Sequence, residues 1–168
     1  MTAPSRADLH ATIAAALEEG EIAYESPDEG QFFVTLPGTH KLATHCWLVV
    51  GPHALLVEAF VCRRPDENAE ELYRFLLRRN ARLYAVAFSI DENGDVYLVG
   101  RLPLQSVTAE EVDRILGSVL EYADGSFDTL LEIGFASSIR REWAWRKDRG
   151  ESMANLQAFA RFADPDRQ

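Results

Sequence analysis

The sequence predicts an α+β domain, an antiparallel sheet with flanking helices gathered on one side or end. Three observations predict it. Apolar runs follow one another from Phe32 to Cys62 with only turn residues between them, so these strands are expected to be antiparallel neighbours. A second strand pair flanks Asn93-Gly94, a dipeptide that tolerates the positive φ of a tight hairpin. Helical stripes precede, separate and follow the two strand blocks. The expected order is α-β-β-β(-β)-α-β-β-α, with the first strand the weakest.

The first helix runs from Ser5 to Glu19. Ser5 with Asp8 is a capping pair, Leu9, Ile13 and Leu17 form one apolar stripe, and Gly20 ends it. Ile22 to Tyr24 reads as a short strand and Ser26 to Gly30 as a turn. Phe32 to Leu36 is a strand stopped by Pro37-Gly38. Leu42 to Val50 and Ala54 to Cys62 are two more, joined through Gly51-Pro52-His53.

Pro65-Asp66-Glu67-Asn68 opens the second helix, with proline near the first turn where its missing N–H costs nothing. Ala69, Leu72, Tyr73 and Leu76 share one face. Arg78, Arg79 and Arg82 gather at the C-terminal end, where the helix dipole favours cations. Tyr84 to Ile90 and Val96 to Leu102 form the hairpin. Thr108 with Glu111 caps the next helix, striped by Val112, Ile115, Leu116 and Val119. Asp124-Gly125-Ser126 interrupts it, and helix resumes from Phe127 to about Arg146. Residues 1–147 are therefore expected to form one domain, and residues 148–168 a tail. Within the tail, Met153 to Phe162 reads as a short amphipathic helix and Asp164 to Gln168 as frayed. Whether the two strand blocks share one sheet or pack as two stays open.

Bulk properties narrow the function. The chain has 168 residues, 47% of them hydrophobic and 26% charged, which argues for one domain with a real core. A net charge of -10 disfavours nucleic acid and anionic membrane as partners. The N-terminus lacks an apolar signal segment, and no run is long enough to span a bilayer, so the expected location is cytoplasmic. Cys46 and Cys62 sit in apolar runs and read as buried free thiols, with a bridge left open if their strands adjoin.

A search for chemistry finds no linear motif. His10, His40, His45 and His53 lack metal-ligand spacing. Asp91-x-Asn93-x-Asp95 opens like a calcium loop, but Val96 stands where glycine is required and Leu102 where glutamate is required. No serine lies in a nucleophile elbow, and neither a phosphate loop nor a dinucleotide fingerprint is present. The expectation is a non-enzymatic protein with no cofactor and no metal. An enzyme whose groups converge only in three dimensions is the minor reading.

One segment departs from the acidic background. Arg140, Arg141, Trp143, Trp145 and Arg146 concentrate cations and indoles, the residue types enriched in binding hot spots. They are the candidate protein-contact residues, with a helix C-terminus completing the core as the plainer reading. The two tryptophans are two positions apart and do not share a helical face.

Three segments carry a family resemblance: Leu76-Leu-Arg-Arg-Asn80, Asp91-Glu-Asn-Gly-Asp-Val-Tyr-Leu-Val-Gly-Arg-Leu102, and the Thr108-Ala-Glu-Glu helix opening. Over about Ile22 to Arg146 the chain resembles the YbjN-domain family of bacterial sensory transduction regulators. The resemblance implies a fold like that of type III secretion chaperones, a small α+β sandwich that dimerises and binds extended segments of other proteins. It implies no catalytic motif. The expected function is a chaperone-like or regulatory module, homodimeric, with an unidentified protein or peptide partner. The alternative is a small-molecule-binding regulator with a pocket between sheet and helices, lined by Phe32, Phe33, Trp47, Phe60, Tyr84 and Phe88.

Overall fold

The computed structural model describes residues 2–163; the terminal segment read as frayed lies outside them. Helix α1 (Arg6–Glu19) starts at a reciprocal cap. The Ser5 hydroxyl accepts from the Asp8 N–H, and the Asp8 carboxylate accepts from the Ser5 N–H. Leu9, Ile13 and Leu17 are its buried stripe, so local capping and helical periodicity agree.

Strands β1 (Ala23–Asp28), β2 (Gln31–Pro37), β3 (Ala43–Val50) and β4 (Ala54–Cys62) follow, then helix α2 (Ala69–Asn80). The hairpin β5 (Val86–Ile90) and β6 (Val96–Pro103) leads to α3 (Ala109–Gly134) and α4 (Ala136–Arg149). A 3-10 segment (Ala154–Phe159) and a short helix α5 (Ala160–Ala163) close the described chain.

All six strands form one antiparallel sheet in the order β1-β2-β3-β4-β6-β5. The two strand blocks therefore merge. Helix α2 carries the chain past the position beside β4, β5 takes the outer edge, and the hairpin returns β6 alongside β4. Helices α1 and α3 cover one face, burying Phe32, Leu48, Val57 and Leu98 beneath Ile13, Leu17, Ile115 and Leu116.

Cys46 lies opposite Ala59, and Cys62 opposite Val96. They are not cross-strand neighbours, and both are free and buried. Burial pushes the Cys46 thiol up to about 12 and the Cys62 thiol to about 11, so both stay protonated and inert.

Four local expectations are corrected. The turn predicted at Ser26 to Gly30 is strand as far as Asp28. Pro27 is accepted because β1 is an edge strand with an irregular register between Glu25 and Asp28. Pro65 precedes α2 rather than opening it, and the helix starts after Asn68, whose φ is 52°. Strand β5 begins at Val86, because Ala85 at φ 62° breaks the extended run after Tyr84.

The fourth correction concerns the long C-terminal helix. It is unbroken through Asp124-Gly125-Ser126 and breaks instead at Gly134-Phe135. Asp124 turns its carboxylate to the loop before β3 and takes the N–H groups of Thr39, His40 and Lys41 at 2.9–3.0 Å. Its local turn propensity is overridden by those distant partners.

Candidate functional site

Strand geometry creates the site. In β2, β3, β4 and β6, residues of one parity are buried under the helices, and those of the other point to the opposite face. No residue of that second face is buried along Gln31–Thr35, Ala43–Val49, Ala54–Phe60 or Tyr97–Arg101. Polar side chains are the usual outward complement of a one-sided sheet. Here the outward row sets Phe33, Trp47, Val49, Leu56, Phe60, Tyr97 and Val99 among the polar Gln31, Thr35, His45, Glu58 and Arg101.

Register brings these side chains into contact. Phe33 faces Trp47 across β2 and β3, their ring centroids 5.0 Å apart. His45 stacks on Phe33 at 5.2 Å and 15°. Phe60 meets the Tyr97 ring edge-on at 5.5 Å and 77°. Glu58 lies between these aromatic pairs, opposite Trp47 on one side and Val99 on the other. Trp47 is 37% exposed and Phe60 40% exposed, a large aromatic area held at the surface. Burial, then the carboxylates of Asp91, Asp95 and Glu58, raise the Tyr97 phenol above its ordinary value. It stays neutral, so the face carries hydrogen-bonding and apolar character beside the carboxylates of Glu58 and of Glu25, which lies opposite Phe33.

The edges of the sheet are managed separately. On the outer side of β5, Asn80 receives the Phe88 N–H at 2.7 Å and donates to the Phe88 carbonyl at 3.0 Å. Its amide occupies the position that a further strand would take, which blunts that edge. The open face, rather than this edge, is therefore the surface available for recognition.

A polar joint fixes the end of the molecule near α4. The N–H groups of Asp66 and Glu67 donate to the Gly134 carbonyl, and Asn68 donates to the Ile133 carbonyl. Glu67 accepts from the Ser137 N–H and hydroxyl, both at 2.8 Å, capping α4. Those bonds hold Glu67 below its usual range. Arg63 grips Asp66 through two nitrogens, and Ser138 donates to it at 2.7 Å. Together they draw the Asp66 carboxyl down to about 2. This joint sets the direction of α4 and needs the absence of a side chain at Gly134, where a Cβ would lie 2.8 Å from Pro65.

The arginine and tryptophan residues of α4 divide into two roles. Arg140 donates to the Phe162 carbonyl, and Arg146 to Glu142 and to the Ser152 carbonyl, so both hold the chain that follows α4. Arg141 donates to Ser138. Trp143 is half-buried, whereas Trp145 is 45% exposed with the Arg149 guanidinium 4.8 Å above its ring.

The six aromatics considered as a pocket lining do not converge. Phe32 and Phe88 are in the core, Phe33, Trp47 and Phe60 are on the open face, and Tyr84 sits outside the strands, bonded to Glu111. Sequence reasoning missed His45, Tyr97 and Val99 as members of the face. The signal was present, since both parities of β3, β4 and β6 carry apolar residues.

Among the described residues no group of three potential metal ligands occurs. His40 pairs with Asp128 at 2.7 Å, and His10 accepts the Gly30 N–H while stacking on Phe32. Among the described residues no helix is long and apolar enough to cross a membrane.

Comparison with known proteins decides the family. Residues 10–132 match YbjN, described as "Putative bacterial sensory transduction regulator". The chain belongs to the YbjN family. Among YbjN relatives, an uncharacterized protein of Mycobacterium tuberculosis is 57% identical over 86% of this chain and 82% of its own length. One from Mycobacterium leprae is 52% identical over 92% and 84%.

Solved structures share the fold at low identity. A chain of the ExsC–ExsE complex superposes with a TM-score of 0.54 at 20% identity, covering 73% of this chain and 92% of that one. A chain of the HopA1–SchA chaperone–effector complex gives 0.53 at 14%, covering 70% and 91%. The structure of the Yersinia pestis type III secretion chaperone SycH with a fragment of YscM2 gives 0.52 at 18%, covering 71% and 97%. The YbjN chain thus has the type III secretion chaperone fold. Helix α4 and the segment after it lie beyond the family match.

Proposed function

We propose that this YbjN protein is a non-enzymatic, cytoplasmic protein-binding module, chaperone-like or regulatory, that works as a homodimer. The observation that carries the reading is the uncovered aromatic face of the sheet. Its pairs Phe33–Trp47 and Phe60–Tyr97 are pre-positioned by backbone register, so little side-chain entropy is left to lose on binding. Rigid aromatic rings beside the Glu58 and Glu25 carboxylates suit a partner segment with apolar side chains and a basic residue. Chains of the same fold solved together with protein partners support the reading.

The dimer contact is assigned to the outer side of α4, where Arg141 and Trp145 face outward and Trp143 backs them. Arg140 and Arg146 contribute through the segment they hold. The exposed indole with its guanidinium is the feature that supports this assignment.

The test is a cross-linked pull-down from the native cell, read by mass spectrometry, with wild type and a Trp47→Asp variant side by side. One partner enriched by wild type and lost from the folded variant is the expected result. Equal recovery from both would remove the open face from the account.

A further inference from the structure

The chain after α4 doubles back and packs against its own helices. Gly150, at φ 65° with open space around it, ends α4 in a left-handed cap, and residues 152–163 return along the helix. Leu156 and Phe159 dip into an apolar cleft between α3, α4 and the end of β4, whose walls include Phe60, Phe127, Leu131, Phe135 and Ile139. Ala160 and Ala163 are buried. Polar ties hold both ends. Arg161 meets Asp128 at 2.5 Å, Arg140 donates to the Phe162 carbonyl at 3.1 Å, and Arg146 to the Ser152 carbonyl at 3.1 Å.

Two features set this strap apart from core. It underfills its seat, since about 460 Å³ of cleft remains beside Leu156 and Phe159. Its ties are also surface contacts, of the kind that contribute little each. An occupant with the same chemistry and larger apolar side chains would make more contacts in the same place.

We propose that residues 154–163 are a built-in competitor, a strap that occupies a second docking cleft of this protein until a partner segment displaces it. The partner segment is amphipathic. It sets large aliphatic or aromatic side chains between Phe127 and Ile139 and presents an arginine or lysine to Asp128. This inference rests on the reading that the protein binds segments of other proteins; its cleft shares Phe60 with the open sheet face, and Trp47 belongs to that face alone.

The test uses full-length protein and one probe, a fluorescent peptide with the sequence of residues 152–163, followed by fluorescence polarisation. A strap closed nine-tenths of the time weakens apparent affinity for the probe about tenfold. A Leu156→Asp/Phe159→Asp chain is therefore expected to bind the probe at least about tenfold more tightly than wild type. Adding Ile139→Asp to that chain is expected to abolish the gain. Circular dichroism identifies any variant that has lost its fold, and hydrogen exchange of amides 154–163 in the wild type gives a second readout that needs no variant.

Equal probe binding by wild type and variant, no binding by a folded variant, or unprotected strap amides would each overturn the proposal. So would a wild-type dimer whose strap protection depends on concentration, since the occupant would then be a second copy's tail. Failure of the probe to compete, with partner capture through Trp47 intact, refutes the strap alone. Loss of that capture with strap competition intact refutes the open-face reading alone.

Discussion

Replacing Asp124 with alanine isolates one half-buried anchor. A single carboxylate oxygen accepts the N–H groups of Thr39, His40 and Lys41. Thr39 and His40 are exposed, so their N–H groups pass to water at a cost of about 0.5 kcal/mol each. Lys41 is part-buried in that contact, and its orphaned N–H costs about 1–2 kcal/mol. The expected loss is about 2–3 kcal/mol, a fall in Tm of about 4–12 °C for a chain of this size.

Asp124→Asn keeps an acceptor but loses the charge, which about halves the strength of each bond. Its expected loss is about 1 kcal/mol at neutral pH. Burial pushes the Asp124 carboxyl up, but the three backbone bonds outweigh it, and its folded pKa lies below 3.8. A group depressed on folding stabilises above its unfolded pKa, and that contribution disappears as pH falls through the folded value. The gap between wild type and Asp124→Asn is therefore full above about pH 4 and closes below it. Urea unfolding at pH 7 and at a series of pH values down to 3 measures both effects. Equal stability at pH 7, or a gap that does not narrow at low pH, would refute the reasoning.

Further predictions follow the same logic. Asn80→Ala leaves the Phe88 N–H and carbonyl unpaired on the outer edge of β5, and is expected to cost about 1–3 kcal/mol and to raise self-association by light scattering. In Gly134→Ala the new methyl group meets Leu72 at 2.7 Å and Pro65 at 2.8 Å, for an expected loss of about 1–3 kcal/mol by chemical denaturation. Cys46 and Cys62 are expected to resist a thiol reagent at pH 8 in native protein and to react fully on unfolding; rapid native labelling would contradict their burial. Trp145→Ala is expected to shift the mass distribution toward monomer in sedimentation at low concentration, with an unchanged distribution counting against the α4 contact.

The legible parts of the fold were those encoded locally. The Ser5–Asp8 cap, the Thr108–Glu111 cap and the Asn93-Gly94 hairpin each depend on residues a few positions apart. Asp124-Gly125-Ser126 was misread because its local composition favours a turn, while the groups that fix it lie more than eighty residues away. The placement of β6 between β4 and β5 is also non-local, since nothing within either strand block specifies which edges meet.

The site was half legible. Outward aromatics such as Phe33, Trp47 and Phe60 were visible as residues, but their shared face emerges only from register and strand order. Asn80 was visible as the end of a family motif. Its work on the β5 edge is a property of the assembled sheet.

The most direct test of the open face is site-specific photo-cross-linking in the native cell. A photoreactive phenylalanine analogue at Trp47 reports from the aromatic face, and the same analogue at Glu121 reports from an exposed position on α3. Recognition through the sheet predicts a discrete heteromeric adduct from position 47 and none from position 121. No adduct from either position, or the same adducts from both, would contradict it.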